Sequence, residues 1–476
     1  MLATMLLLGA CQPIAQTTSA APAADGAAAP SPGAAGLGDP FVPNLGNGGY
    51  DVQHYTIALD VDPLANVITG TTTITAKATQ ALSAFNLDFA GEPIDALTVD
   101  AVTVDGRAAA FTHETYELVI TPTVAPADTE LFTTVVAYHG SPEPIPSLAG
   151  ETIGWFHSPS GAVNVVGEPD GAEGWFPAND YPTDKATFRF EITVPAPYVV
   201  AAPGLLRDTE QQGDNIRYVW EMDQPIATYL AAVNIDKYEV ETAAGPDGVE
   251  IRNYFPQDYP AAERKRYAAL PQMIEYFSSL FGPYPYAAYG VLIADPEVEI
   301  CGFMVAEETP TLSTHCATGE AADEDVVAHE LAHQWFGDSV SVASWQDVWL
   351  KEGLATYAQW LWLTRAEGRA ALDEMASSSL QDMGLTASIA QPPPYDLYGN
   401  GSYIGGALVF HALRLKVGDE AFFKILRTYY DRYKGGSAGT QDFIAVAEEV
   451  SGQELSPFFS DWLYSTDLPA LPGDAG

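Results

Sequence analysis

The hydrophobic period changes once along this chain, and that change limits the fold more than any other feature. From Tyr50 to about Val240, apolar and polar residues alternate in short segments. Examples are Tyr55-Thr56-Ile57-Ala58-Leu59-Asp60-Val61 and Ile68-Thr69-Gly70-Thr71-Thr72-Thr73-Ile74-Thr75. A period of two puts every second side chain on one face, the pattern of a half-buried strand. The segments are rich in Val, Thr, Ile and Tyr, with turn residues between them, and predict an antiparallel β-domain. No fixed repeat length recurs, which argues against a propeller or solenoid. Beyond Pro246-Asp247-Gly248, after one more strand, the spacing becomes helical. Tyr267, Leu270, Met273, Ile274 and Phe277 share one face of a helix over 261–280. Further helices are predicted over 323–336, 351–365, 404–416 and 420–433, with an apolar strand at Tyr289-Gly290-Val291-Leu292-Ile293-Ala294. The second half is mixed α/β, dominated by helix.

A chain of 476 residues exceeds one ordinary domain. The expected division is an export signal over 1–11, a disordered Ala/Pro/Gly-rich tether over 12–48, a β-domain over 49–245 and a second domain over 246–470. The net charge of −43 is the opposite of the basic footprint a nucleic-acid reader needs. It serves solubility, or more sharply an acidic cleft for cationic peptide amines. The run Met1 to Ala10 is too short to span a bilayer and reads as the apolar part of an export signal. Leu8-Gly9-Ala10-Cys11 resembles a bacterial lipobox, although no Lys or Arg precedes the run. The expectation is a lipoprotein anchored at Cys11 on the cell surface or in the periplasm, the alternative a cleaved signal and secretion. Cys301 and Cys316 remain, either as a disulfide in an oxidising compartment or as two buried thiols.

The chemistry is concentrated in Val327-Ala328-His329-Glu330-Leu331-Ala332-His333-Gln334-Trp335, which contains H-E-x-x-H. On a helix His329 and His333 lie on one face and can bind one zinc ion together. A catalytic zinc takes three protein ligands. Eighteen residues separate His333 from Glu352, and a carboxylate there completes a His₂Glu set. Glu330, beside the first ligand, is placed to take a proton from water.

The stretch from His329 to Tyr357, HELAHQWFGDSVSVASWQDVWLKEGLATY, closely resembles the aminopeptidase N family of gluzincins, which includes leukotriene A4 hydrolase. Phe176-Pro177-Ala178-Asn179-Asp180-Tyr181-Pro182 with Lys185, and Phe458-Phe459-Ser460-Asp461-Trp462-Leu463, are similar to further family segments. The resemblance implies a saddle-like β-domain followed by a thermolysin-like catalytic domain. It also implies that Tyr403, in Ser402-Tyr403-Ile404-Gly405-Gly406-Ala407, stabilises the tetrahedral intermediate, although Gly405 stands where the family has lysine. The family's G-x-M-E-N motif is degraded to Cys301-Gly302-Phe303-Met304-Val305-Ala306-Glu307-Glu308-Thr309-Pro310-Thr311. Glu308 aligns best with its amine-binding glutamate, with Glu307 as the alternative. Glu168 is the second amine anchor, and Val166 replaces the usual glutamine two residues earlier. Larger relatives carry a helical C-terminal domain. This chain stops soon after Trp462, so that domain is expected to be absent and the cleft more open.

The expected function is a zinc-dependent aminopeptidase acting on peptides, with one Zn²⁺ per chain and no nucleic-acid partner. Cobalt or manganese also suits the donor set. The alternatives are a zinc endopeptidase, allowed by the eroded exopeptidase motif, and a surface-anchored, non-catalytic binding protein on a peptidase fold.

Overall fold

The computed structural model describes residues 29–39, 41–91, 94, 96–302, 304–316 and 324–473. The signal and lipobox expectation, the first part of the tether and Phe303 lie outside the described residues. The strands that frame the β-domain are β1 (Tyr50–Asp62), β2 (Val67–Ala78), β3 (Ala96–Val104), β4 (Leu131–Ser141), β5 (Thr152–His157), β6 (Val163–Val166), β7 (Ala186–Pro195), β8 (Leu205–Gln212) and β9 (Asn215–Ile226). The large sheet runs β8-β9-β7-β1-β2-β4-β3, with Arg107–Ala108 added at its edge. Alternation decides its buried face: Tyr55, Ile57 and Leu59 of β1 are almost wholly shielded, while the residues between them are partly open. β5 and β6 form an antiparallel hairpin in a separate five-stranded sheet.

Two expectations need correction here. The β-domain is not wholly antiparallel, because β7 lies parallel to β1, with His54 opposite Thr187 and Asp60 opposite Thr193. A parallel neighbour needs a long crossover, and everything from β2 to β6 supplies it. The tether also ends earlier than residue 48. Ser31 and Gly33 donate backbone hydrogen bonds to the Ala81 and Ala84 carbonyls, and Val42 and Leu45 are buried in the β-domain core. Backbone pairing to a sheet edge carries no composition signal, so an Ala/Pro/Gly-rich run conceals it.

The second domain opens with β10 (Tyr238–Ala244) and β11 (Glu250–Pro256), followed by β12 (Val291–Ala294), β13 (Ala306–Thr309) and β14 (Leu312–Cys316). Their sheet is ordered β10-β11-β12-β14-β13, parallel between β11, β12 and β14 and antiparallel elsewhere. The expected break at residue 245 thus falls in the turn of the β10–β11 hairpin. The helices are α1 (Leu270–Phe281), α2 (Glu324–His333), α3 (Trp349–Leu363), α4 (Arg369–Asp382), α5 (Gly406–Val417), α6 (Asp419–Tyr433), α7 (Thr440–Ser451) and α8 (Ser456–Leu463). The helix predicted over 261–280 is split: residues Glu263–Ala269 form 3₁₀ turns, and the α-helix starts at Leu270. Pro271, which has no N–H to give, suits the first turn of a new helix.

The β-domain core runs on into the second domain through Leu292, Leu312, Trp345 and Val348, the rest of the second domain packs around a core of its own, and polar contacts add to the seam. Lys185, between the β-domain's F-P-x-x-D-x-P segment and β7, donates to the carbonyls of Asp338, Ser339 and Gly436 at 3.0–3.2 Å. Among the described residues no helix is long and apolar enough to cross a membrane.

Candidate active site

Helices α2 and α3 run antiparallel against one another. Three contacts fix the register: Glu324 with Arg365 at 3.6 Å, the Gln359 amide donating to Asp325 at 2.9 Å, and His329 with Glu352 at 3.3 Å. His329 and His333 are one turn apart on α2, and Glu352 stands in the first turn of α3. α2 ends where the chain turns through Gly337, at φ +133°, and the Asp338 N–H returns to the His333 carbonyl at 3.0 Å. Gln334 ties this corner to the β13–β14 turn. It accepts from the Thr311 N–H at 2.9 Å and donates to the Thr309 carbonyl at 3.0 Å.

The two imidazoles present lone pairs to a common point. Nδ1 of His333 lies 3.0 Å from the Phe336 carbonyl, which can only accept, so Nδ1 carries the proton and Nε2 is bare. That Nε2 is 3.0 Å from Nε2 of His329, and Oε2 of Glu352 is 3.3 and 3.5 Å from the two nitrogens. Burial lowers the pKa of His329 and favours its neutral form. Burial opposes charge on Glu352, but the Lys351 ammonium outweighs it and holds its carboxyl well below the usual range. Two neutral nitrogens and a carboxylate oxygen facing each other are electron donors without a proton to share. Tetrahedral ligands at 2.0–2.1 Å from zinc stand about 3.3 Å apart, which is the spacing here. The residues fit zinc.

A cavity of about 650 Å³ opens on this set and brings together every residue singled out in the sequence: Glu168, Glu307, Glu308, His329, Glu330, His333, Glu352 and Tyr403. One oxygen of Glu330 lies within 4.8 Å of ligand atoms of both Glu308 and His333. Its carboxyl pKa is raised well above the ordinary value by burial, and then by the charges of Glu308 and Glu352. Tyr403 stacks on His329 with ring centroids 5.8 Å apart. It sits in a wide π-turn, Gly401–Gly405, that runs directly into α5. Gly353 and Gly406 let α3 and this segment meet backbone to backbone. A Cβ on Gly353 would stand 2.6 Å from the Gly406 Cα.

At one end the cavity is closed by carboxylates. Glu168 follows β6, whereas Glu307 and Glu308 lie on β13, and oxygens of all three fall within 4.8 Å of one another. The Glu168 N–H donates to Glu307 at 3.2 Å. One Glu168 oxygen is buried and has no hydrogen-bond partner among the described residues. The loop leading into β13 is fastened by a disulfide between Cys301 and Cys316, which settles the pairing that the sequence left open.

Sequence reasoning missed Lys351. Its ammonium is buried and contacts Glu308, Glu168 at 2.7 Å and Glu352 at 2.8 Å. It therefore links the acidic end to the metal set. The available signal was a lysine between Leu350 and Leu354 on an apolar helix, where a solvated charge is out of place.

Residues 51–230 match the sequence profile of the peptidase M1 N-terminal domain, and residues 267–462 that of the peptidase family M1 domain. A crystal structure of an M1 zinc metallopeptidase from Deinococcus radiodurans superposes with a TM-score of 0.83 and 31% identity, covering 93% of this chain and 99% of that one. A mutant of it bound to the substrate Tyr-Ser-Ala gives 0.83 and 30%, with 92% and 99% covered. A probable aminopeptidase 2 from Sulfurisphaera tokodaii is 28% identical over 323 residues, 63% of this chain and 41% of that protein. The chain spans about two fifths of the length of the curated relatives it matches first.

Proposed function

The chain belongs to peptidase family M1, a family of zinc metallopeptidases, and from that membership we propose that it is a zinc-dependent aminopeptidase that removes residues from the free N-terminus of peptides. The observation that carries the reading is the acidic end of the cavity, one residue's reach from the His₂Glu set. A peptide whose ammonium binds Glu168 and Glu308 has its first carbonyl beside His329, His333 and Glu352. Zinc held by those three residues supplies a Lewis acid and acidified water.

Glu330 accepts the proton of the attacking water and delivers it to the leaving nitrogen. Burial and the neighbouring carboxylates raise its affinity for a proton, which suits taking one from water. Tyr403, against His329 on the cavity wall, donates its phenol proton in a hydrogen bond to the developing oxyanion. Lys351 keeps Glu168 and Glu308 together when no substrate amine bridges them. Tyr-Ser-Ala bound to the Deinococcus radiodurans mutant supports a free peptide as substrate. The disulfide supports an exported protein, since such bonds persist in oxidising compartments. With the apolar run Met1 to Cys11, it supports an enzyme at the bacterial surface, in the periplasm or outside the cell.

The test is hydrolysis of a panel of aminoacyl fluorogenic amides, each beside its N-acetylated twin, with and without a zinc chelator. Chelator-sensitive cleavage of the free amines alone is expected. Cleavage of the blocked twins would make the protein an endopeptidase and withdraw the roles of Glu168 and Glu308.

A further inference from the structure

Beyond the metal set the cavity continues, and the proposed chemistry uses nothing at that end. The ligand groups follow one another in order: Glu168, Glu307 and Glu308; then Glu308, Glu330 and His333; then His333, His329 and Glu352. Asp325 lies one further turn back along α2 from His329, about 6 Å along the axis and away from Glu308. On the facing helix Thr356 and Gln359 continue the line of Glu352 at helical spacing. Asp325, Thr356 and Gln359 all line the cavity. A peptide with its amine at the glutamates and its first carbonyl at the metal set runs into this end with whatever follows the scissile bond.

The far end is built to receive a donor. The Gln359 amide donates to one oxygen of Asp325 at 2.9 Å and fixes the carboxylate on the cavity wall. Among the described residues neither Lys nor Arg pairs with Asp325 or lines the cavity. Arg365, just beyond the end of α3, is taken up by Glu324 and lies over the Trp362 ring at 3.5 Å. Thr356 is 5% exposed, and among the described residues its hydroxyl has no hydrogen-bond partner. A buried hydroxyl left unpaired on a ligand-facing wall is costly unless something arrives to bond it.

We propose that Asp325, oriented by Gln359, forms with Thr356 a subsite for a cationic side chain on the residue that follows the scissile bond, so that Lys or Arg is preferred in the second position of the peptide. The subsite rests on the aminopeptidase reading for its direction: an extended residue advances about 3.3–3.6 Å, which puts the second side chain level with Asp325. The long stems of Lys and Arg have apolar wall to pack along in Trp360 and Ile404, which also line the cavity.

The experiment uses zinc-loaded protein carrying Glu330→Gln, which binds without turnover. Titration calorimetry with Leu-Lys-Ala, Leu-Gln-Ala and Leu-Glu-Ala reads the preference directly. Leu-Lys-Ala is expected to bind about tenfold tighter than Leu-Glu-Ala at low salt, with the ratio falling as salt rises. Adding Asp325→Asn should bring that ratio below about twofold. Equal affinities, no binding of any of the three, or a preference that survives Asp325→Asn would overturn the subsite. Hydrolysis of leucyl fluorogenic amide by the wild type, which has no second side chain, reports separately on the aminopeptidase reading. Cleavage of it without a Lys preference sinks the subsite alone. A Lys preference without cleavage sustains the subsite and withdraws the enzyme assignment.

Discussion

Replacing Gly353 by alanine tests whether the site depends on how closely α3 approaches the segment that carries Tyr403. A Cβ at 353 would lie 2.6 Å from the Cα and 2.7 Å from the carbonyl carbon of Gly406. Carbon atoms without a bond between them rest at about 3.5–4.0 Å, so the two backbones must part by about 1 Å. No flexible side chain is available to absorb that shift. Glu352 is the residue before Gly353, and Tyr403 stands three residues before Gly406. Metal ligands tolerate about 0.2 Å, and a displacement of about 1 Å in an active site costs about 100-fold in rate. Gly353→Ala should therefore lower kcat/KM on leucyl fluorogenic amide by about 100-fold and weaken zinc retention. Overpacking should also reduce stability by about 1–3 kcal/mol, read as a lower urea midpoint. Gly384→Ala is the control, because a Cβ there meets nothing within 4 Å. Wild-type rate and zinc content in Gly353→Ala would refute the reasoning, since the helices would then have room the structure denies them.

Three further outcomes are expected. Glu330→Gln should keep one zinc per chain by elemental analysis while kcat falls about 1000-fold; a near-normal rate would remove Glu330 from the proton transfer. Cys301→Ser with Cys316→Ser opens a loop of sequence separation 15 and should cost about 3 kcal/mol, with a higher KM because β13 bears the amine-binding glutamates; unchanged stability and KM would refute this. Burial, with Glu117 nearby, pushes the Asp88 carboxyl up to about 8. Folded protein then holds a proton that the unfolded chain releases near pH 4, so this residue's share of stability is lost as pH rises from about 4 to 8. Urea midpoints should show the wild type losing ground to Asp88→Asn between pH 5 and 8, and a constant gap would refute the assignment.

The metal set was legible because its members lie within two helices, where spacing alone fixes which residues share a face. His329 and His333 needed only an i, i+4 rule, and Glu352 only a facing helix. The acidic end is different. Glu168 is 139 residues from Glu307, and no local pattern brings them together; the family resemblance did that work. Lys351 stood in plain view beside Glu352. Helical periodicity records only that its position is inward, while its three carboxylate partners come from the loop after β6, from β13 and from its own helix. Fold-level misses have the same origin. The parallel pairing of β1 with β7 joins segments more than 120 residues apart, and the strand alternation that predicted both is blind to direction. Residues 31–48 were assigned to the tether because their order comes from backbone hydrogen bonds to Ala81 and Ala84, which any side chain permits.

Glu168 belongs to the β-domain and Glu308 to the catalytic domain, and Lys351 clasps them across the seam. On the proposed reading the substrate is measured with a ruler whose zero mark is shared between two bodies. The metal set and Glu330 lie on α2 and α3; part of what says where to cut is borrowed from next door. Slippage of the seam would blur the register before it dulled the edge.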